Sequence, residues 1–293
     1  VTAAAGGLRA TASFAIPEAL TSITIKHEGK NTALSSLRVA GGSTTELTAT
    51  GWYYGNKVYS ADTSFTWSVS DALGTIDEDG TFTAVQTGRD VTGTLTVTYG
   101  ETSCTLPVTV GSSQPFDDTK GHWAESYITE LYYAGTLQGS EKNGKLYYRP
   151  DASMTRQEFI VAMMRYLGTD LSAYASVQLP FDDSGSIASW AKSAMQAAYQ
   201  LGYLTGSKTN GKLLAKPGST ISRQEAMTIL SRTKDFADAD LNVLSAFSDS
   251  GKIADWARTA LAQMTQQKII SGSKGKLNPT GKVTRAEVAK MLY

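Results

Sequence analysis

Three arginines occupy positions that helix formation alone does not explain. Arg156, Arg223 and Arg285 each stand second in a Ser/Thr-Arg-x-Glu tetrad. The hydroxyl and the glutamate of such a tetrad form a capping box, which satisfies backbone amides at the start of a helix. A cation in that first turn is unfavourable by about 0.3 to 1 kcal/mol at exposed positions, because the helix N-terminus carries partial positive charge. The guanidinium groups and free helix amides therefore predict sites for an anion, a carboxylate or a phosphate.

The tetrads also predict three helix starts. In each copy a proline stands five residues before the hydroxyl, and apolar residues such as Phe159 and Met163 follow at helical spacing. We assign helix capping to Thr155, Glu158, Ser222, Glu225, Thr284 and Glu287. The structural alternative for the arginines is an inter-repeat salt bridge, for instance to Asp118, Asp183 or Asp249.

An earlier helix opens at a tryptophan in each copy. Trp123, Trp190 and Trp256 follow a Phe-x-Asp triplet and precede the arginine by 33, 33 and 29 residues. An indole face suits the apolar face of a sugar ring, but a tryptophan at the start of an amphipathic helix can equally anchor a core. We expect partial burial with one edge open to a groove. We also expect the three Trp-led helices to converge on a shared axis, because equal repeats bury their apolar faces best together.

A Gly-Ser pair follows each Trp-led helix, and the third of these helices is expected to end near Gly272. The pairs are Gly139-Ser140, Gly206-Ser207 and Gly272-Ser273. Their amides could bind sugar hydroxyls or a carboxylate. Glycine is also what a helix C-terminus prefers, so both interpretations stay open.

The first 112 residues have a different pattern. They are rich in Thr, Ser, Val and Gly, and apolar residues alternate with polar ones, as in Leu95-Val97-Tyr99 and Leu106-Val108-Val110. A period of two with frequent turn signals predicts strands, so we expect an all-β sandwich here.

Composition excludes several classes of function. The 27 basic and 27 acidic residues balance, which argues against a global basic field for nucleic acid. A single cysteine, Cys104, and two histidines far apart, His27 and His122, leave little for metal or nucleophilic chemistry. We therefore predict no catalytic residue, no metal and no cofactor, and the lack of a long apolar run predicts no membrane insertion.

The C-terminal repeats resemble the S-layer homology domain in three tandem copies. Phe-x-Asp, Trp-Ala, the mid-repeat glycine, the proline and Ser/Thr-Arg-x-Glu occur together three times in order, although Ser222 replaces threonine in the second copy and only the third copy has the usual Thr-Arg-Ala-Glu. The resemblance implies noncovalent anchoring on the cell wall of a Gram-positive bacterium. It implies that the arginines grip an acidic substituent, a pyruvate ketal, on a secondary cell-wall polysaccharide between repeats, with the tryptophans and Gly-Ser pairs lining the site.

Residues 20 to 110 resemble bacterial immunoglobulin-like domains of group 2. The segments that carry the likeness are Trp67-Ser70, Gly74-Val85 and Gly93-Gly100. The likeness implies an extracellular spacer. The predicted domains are an N-terminal segment 1–19, interpreted as the end of a missing upstream domain, the sandwich 20–112, a linker 113–115, and repeats 116–179, 180–245 and 246–293. The predicted fold is thus an immunoglobulin-like sandwich followed by an all-helical pseudo-threefold module.

Two other functions compete with a plain anchor. The chain could be the anchoring tail of a surface glycan-active hydrolase whose catalytic domain lies upstream, or a surface-layer lattice protein. The aspartate pairs, such as Asp117-Asp118, are weak glycosidase candidates because adjacent carboxylates point apart. For the arginines we expect that alanine leaves folding nearly intact and lowers binding, most of all at Arg285, whose signature is closest to the family's.

Overall fold

The computed structural model describes residues 2–5, 8–11, 20–54, 56–57 and 64–293. The chain divides into two compact units, Val1–Ser113 and Gln114–Tyr293. Within the predicted N-terminal segment, strands β1 (Thr2–Ala5) and β2 (Leu8–Thr11) pair antiparallel. The rest of that segment lies outside the described residues.

Two sheets make up the remainder of the first unit. One has the order β3-β5-β9-β8 with β6 paired to β5, and the other has the order β4-β11-β10-β7. β4 runs parallel to β11, and the other pairs are antiparallel. The strands are β3 (Ser22–His27), β4 (Leu37–Ala40), β5 (Thr44–Tyr53), β6 (Asn56–Lys57), β7 (Thr66–Val69), β8 (Gly74–Ile76), β9 (Thr81–Ala84), β10 (Val91–Tyr99) and β11 (Thr102–Gly111).

Alternation along these strands places apolar side chains in one core. Leu95 and Val97 of β10 are fully buried, and Thr96 between them is on the opposite face and half-buried. They pack in one cluster with Ile25 of β3 and Phe82 of β9, which belong to the other sheet. The prediction of β structure in this part of the chain is confirmed.

The second unit contains six α-helices among its described residues. They span Glu125–Tyr133 (α1), Arg156–Tyr166 (α2), Lys192–Gln200 (α3), Arg223–Ser231 (α4), Asp255–Gln266 (α5) and Arg285–Leu292 (α6). Helices α1 and α3 begin two residues after their tryptophans, α5 begins one residue before Trp256, and α2, α4 and α6 begin at the tetrad arginines.

The repeats interlock in a cycle. Helix α3 packs on α2, α5 packs on α4, and α1 packs on α6, so each Trp-led helix lies against the capped helix of the preceding repeat. The segments before the capped helices are joined by β-bridges, Ser153 to Thr284, Thr155 to Thr220 and Ser222 to Lys282. The expectation that the Trp-led helices converge on a shared axis is therefore wrong, because the three capped segments meet instead.

The expectation of an all-helical module also needs correction. The first repeat has a hairpin of β12 (Ser140–Lys142) and β13 (Lys145–Tyr147), and the second has a hairpin of β14 (Ser207–Thr209) and β15 (Lys212–Leu214). Asn-Gly turns with positive φ at both residues close these hairpins, which is the geometry of a type I′ turn. In the shorter third repeat only the bridge from Ser273 to Lys276 remains.

The third Trp-led helix ends earlier than expected. Helix α5 stops at Gln266, and Lys268 adopts a φ of 58° where the first two repeats have Gly135 and Gly202. The prediction of Gly272 as its end is wrong, because a lysine takes the left-handed position that normally favours glycine.

Candidate ligand-binding grooves between the repeats

The signature arginines pair across repeats with glutamates. Arg156 donates from Nη2 to Oε1 of Glu225, and Arg223 donates in the same way to Glu287. Arg285 Nη1 lies 4.0 Å from Oε1 of Glu158, which completes the cycle. Each arginine thus reaches the capping glutamate of the next repeat. The aspartate partners suggested by the sequence are wrong.

The aspartates instead hold the loop that precedes each proline. Asp183 accepts hydrogen bonds from the amides of Ala215 and Lys216, both at 2.8 Å. In every repeat the second of the two residues bonded to the aspartate has a positive φ, as Lys216 does here. The same contacts recur from Asp118 to Tyr148 and Arg149, and from Asp249 to Leu277 and Asn278. Tyr148, Ala215 and Leu277 are therefore equivalent positions.

Each capped helix has a complete capping box. At α2 the Thr155 hydroxyl accepts from the Glu158 amide, while Glu158 Oε2 accepts from the Thr155 amide at 2.7 Å. Ser222 with Glu225 and Thr284 with Glu287 form the same arrangement.

The next amides of the capped helices are also occupied. Those of Arg156 and Gln157 donate to the carbonyls of Ser219 and Pro217, at 2.9 and 3.0 Å. Equivalent bonds join α4 to Gly281 and Pro279, and α6 to Ala152 and Pro150. The expectation of free helix amides is therefore wrong for these turns. An anion bound near these helix starts would therefore have to be held by the arginine guanidinium and not by helix amides.

Glu225 is held ionised by its surroundings. Burial favours the neutral carboxyl, but hydrogen bonds from the Ser222 amide and hydroxyl and the charge of Arg156 outweigh it. Together they bring the pKa of Glu225 below its ordinary value. The carboxylate links a helix cap to an inter-repeat ion pair.

We number the grooves by the repeat that supplies the Gly-Ser pair. The second groove holds about 300 Å³ and is lined by Arg156 of repeat one, Gly206 and Ser207 of repeat two, and Trp256 of repeat three. The third groove holds about 720 Å³. It is lined by the equivalent residues shifted by one repeat: Arg223 of repeat two, Gly272 and Ser273 of repeat three, and Trp123 of repeat one. Each groove thus collects its residues from all three repeats.

The cycle assigns Arg285, Gly139, Ser140 and Trp190 to the first groove. Arg285 Nη2 donates to the carbonyl of Gln138, the residue before Gly139, at 2.7 Å. Its Nε donates to the carbonyl of Tyr148 at 2.7 Å. The arginine of this groove is therefore engaged by the protein itself.

The tryptophans do not anchor the core. Trp123, Trp190 and Trp256 are 54, 57 and 57% exposed. The core at the start of the Trp-led helices is instead formed by the alanine after each tryptophan, which is fully buried: Ala124, Ala191 and Ala257. The exposed indoles are free to meet a ligand.

Sterics require the glycine of the Gly-Ser pairs. A Cβ on Gly206 would lie 2.6 Å from Cε1 of Phe181, and one on Gly139 would lie 2.4 Å from Cε1 of Phe116. The phenylalanine of each Phe-x-Asp triplet thus presses against the loop, and a side chain there would push it away. The helix C-terminal interpretation of these glycines is wrong.

Gln157 and Gln224 have a role that the sequence did not reveal. Gln157 Oε1 accepts the amide of Ala188 at 3.0 Å, and Gln224 accepts that of Ala254 at the same distance. Each glutamine therefore caps the Trp-led segment of the next repeat. The third repeat has Ala286 there, and the matching amide, Gly121, donates to Glu125 instead. The replacement of the family's alanine by glutamine was the available signal.

Two further searches were confined to the described residues. In that part of the chain, no group of three or more His, Cys, Asp or Glu side chains is placed to hold a metal ion. Within the same ranges, no helix combines the length and the apolar character needed to cross a bilayer.

Comparisons with known proteins agree with the cyclic repeats. The S-layer homology domain model matches residues 115–160, 180–227 and 246–289. The chain is 28% identical over 203 residues to an amylopullulanase of Thermoanaerobacterium thermosulfurigenes, which covers 68% of this chain and 10% of the relative. It is 28% identical over 238 residues to exoglucanase XynX of Acetivibrio thermocellus, covering 78% and 20%.

A third relative is a surface-layer protein. The chain is 32% identical over 129 residues to the surface-layer 125 kDa protein of Lysinibacillus sphaericus, covering 42% of this chain and 10% of the relative. The matches to these three relatives span 10 to 20% of the relatives' length. The S-layer homology model thus finds three tandem domains within residues 115–289, and domains of this family are cell-surface anchors.

Proposed function

We propose that the three-repeat module binds an anionic, pyruvylated cell-wall polysaccharide noncovalently and so anchors its chain to the bacterial surface. One observation carries the proposal. In the second and third grooves a signature arginine, a Gly-Ser loop and an exposed tryptophan from three different repeats line one cavity. A guanidinium beside an open indole suits a sugar that carries a carboxylate.

The charge of the third groove supports an anionic ligand. Lys274, Lys276 and Lys290 line it together with Arg223, and Glu287 is the acidic residue among the lining side chains. Since Glu287 is already paired with Arg223, the lysines leave a positive surplus. A ketal carboxylate would enter a favourable field.

The second groove supports the proposal through an unsatisfied donor. Within the described part of the chain, Arg156 Nε is buried and has no hydrogen-bond partner. A buried N–H without a partner is costly, so a small shift of the guanidinium that brings this N–H to a carboxylate in the groove would relieve that cost. Trp256 lines the same cavity and offers its face to the sugar ring.

The first unit is proposed as an immunoglobulin-like spacer of the bacterial group 2 type. Its two sheets around one core support this assignment. We retain the domain bounds 20–112, 113–115, 116–179, 180–245 and 246–293 as part of the proposal. The spacer and module are assigned no catalytic role, and the location is the wall of a Gram-positive bacterium.

A second candidate is that the chain anchors a longer glycan-active enzyme. Relatives named amylopullulanase and exoglucanase favour it, since the matches cover only a small share of their length. Assays of this chain on wall glycans test whether it has activity of its own. Saturable binding without products is expected, and turnover would overturn the anchor-only assignment.

The deciding experiment is co-sedimentation with purified cell walls before and after mild acid removal of ketal groups. We expect binding to untreated walls and at least about a tenfold weaker binding to treated walls. Equal binding to both would refute the ketal as the recognised group.

Matched variants locate the site. Trp123→Ala combined with Trp256→Ala removes the exposed indole from two grooves and should abolish most wall binding. Tyr54→Ala removes an exposed aromatic ring from the first unit and should leave binding unchanged. Equal loss in both would mean that exposed aromatic rings bind walls without specificity.

A further inference from the structure

The three equivalent positions Tyr148, Ala215 and Leu277 differ greatly in size. Their equivalence rests on the same aspartate contact to the backbone amide in each repeat. Ala215 and Leu277 line the second and third grooves. Tyr148 is fully buried beside the arginine of the first groove.

The Tyr148 ring covers the guanidinium of Arg285. Cζ of Arg285 lies 4.5 Å from the ring centroid, a cation–π distance. The Tyr148 hydroxyl donates to the backbone carbonyl of Arg285 at 3.0 Å. Burial raises the pKa of Tyr148 to about 12, against the opposing effect of the Arg285 charge, so the hydroxyl keeps its proton. The hydroxyl hydrogen bond and the contact with the guanidinium together hold the Tyr148 ring in place.

The edges of the same guanidinium are occupied by carbonyls. Nε donates to Tyr148 O and Nη2 donates to Gln138 O, both at 2.7 Å. In the second groove, by contrast, Arg156 Nε is buried without a partner among the described residues. A carboxylate that reached Arg156 Nε after a small shift of the guanidinium would break no hydrogen bond at that atom, whereas on Arg285 it would have to displace existing contacts.

Resting on the proposed function, we infer that Tyr148 is a built-in occupant of the first groove. Its ring packs on the guanidinium of Arg285, at the place where a bound sugar would contact the arginine in the other two grooves. The module therefore has two ligand sites rather than three, and the residue at the position of Tyr148 decides which grooves are open. Arg285 serves the fold and takes no part in binding.

The test uses the indole N–H signals of the three groove tryptophans in the full chain. The probe is a methyl hexopyranoside carrying a pyruvate ketal, titrated in two-dimensional ¹H–¹⁵N NMR. In the wild type the signals of Trp123 and Trp256 should shift, and the signal of Trp190 should not. If neither Trp123 nor Trp256 shifts, the proposed function fails. If all three shift alike, the proposed function stands and the inference is overturned.

Tyr148→Leu should open the first groove, because leucine is the residue at this position in the third repeat. Trp190 should then shift with a Kd within about tenfold of that for Trp123. Unchanged shifts of Trp256 show that the variant is folded. A folded variant in which Trp190 still fails to respond would contradict the inference.

The reciprocal change is Leu277→Tyr, which should close the third groove. The Trp123 response should weaken at least about tenfold while that of Trp256 persists. Tyr148→Phe provides the control, since it keeps the ring over Arg285 and removes only the hydroxyl, and Trp190 should stay unresponsive. A full Trp123 response in Leu277→Tyr would overturn the inference even if Tyr148→Leu did not fold.

Discussion

One aspartate in each unit accepts two backbone amides, but over very different distances along the chain. In the first unit, Asp77 forms a local turn by accepting the amides of Asp79 and Thr81. In the second unit, Asp183 accepts the amides of residues more than thirty positions later. The arginines reach further still, from one repeat to the next. In the module, groups that build the grooves also hold the repeats together, so binding and stability are coupled there.

The largest expected effect comes from removing a long-range aspartate. Asp183→Ala leaves two loop amides without their carboxylate and frees the turn at Lys216, whose φ is 51°. We expect the free energy of unfolding to fall by about 2 to 4 kcal/mol. Chemical denaturation measures this free energy. The ligand-induced shifts of the Trp123 and Trp256 indole signals should also be weaker in Asp183→Ala than in the wild type.

Asp77→Ala is the matched local change. It also removes a carboxylate that accepts two amides, but the turn is exposed. We expect a loss of about 1 kcal/mol or less and no change in groove binding. Equal losses for the two variants would contradict the contrast between the units.

The next effect concerns two arginines in ion pairs. The side chain of Arg223 is 20% exposed and pairs with Glu287, whereas that of Arg38 is 45% exposed and pairs with Asp90. Arg223→Ala should cost about 1 to 3 kcal/mol, because it strands a partly buried carboxylate. Arg38→Ala should cost less than about 1 kcal/mol.

This revises the expectation that alanine at the signature arginines leaves folding nearly intact. Thermal melting curves of Arg223→Ala and Arg38→Ala, measured side by side, test whether the module arginine contributes more to stability. A module variant as stable as the wild type would restore the expectation that alanine at the signature arginines leaves folding nearly intact.

A smaller effect is a pH dependence through Glu225. Its folded-state pKa is depressed, so its contribution to stability is fully present above the ordinary glutamate value of 4.5. That contribution is lost as the pH falls through the folded pKa. Glu225→Gln keeps a capping side chain that does not titrate. Thermal melts from pH 6 to pH 3 should show the two proteins converging as the pH falls, and parallel curves would refute the assignment.

The smallest effect is expected at the glutamine caps. Gln224→Ala removes the acceptor for the Ala254 amide at the start of the third Trp-led segment. We expect a loss of about 0.5 to 1.5 kcal/mol in unfolding free energy. Gln178→Ala, at an exposed position, is the control, with no measurable loss expected.

Local spacing made part of this structure predictable. The β structure of the first unit, the helices and the three domains follow from patterns within about 35 residues. The hairpins were also signalled by Asn143-Gly144 and Asn210-Gly211, but the stretch between the two helices of each repeat was interpreted as a loop. The glutamate partners were not predictable, because Glu225 lies 69 residues after Arg156. The inferred closure of the first groove was not predictable either, because nothing near Tyr148 in the sequence indicates that its ring packs on Arg285, 137 residues later.

The closure of the cycle has a consequence for how the protein is made. The amides of Arg285 and Ala286 bond to the carbonyls of Ala152 and Pro150, and the Arg223 amide bonds to Gly281. A ribosome delivers the repeats in order, so the first two repeats wait for the third before these bonds can form. Both open grooves also need a residue from the third repeat, Trp256 or the Gly272 loop. A chain truncated before that repeat would have no complete groove, so under the proposed function retention on the wall would report that the third repeat had been made and had folded.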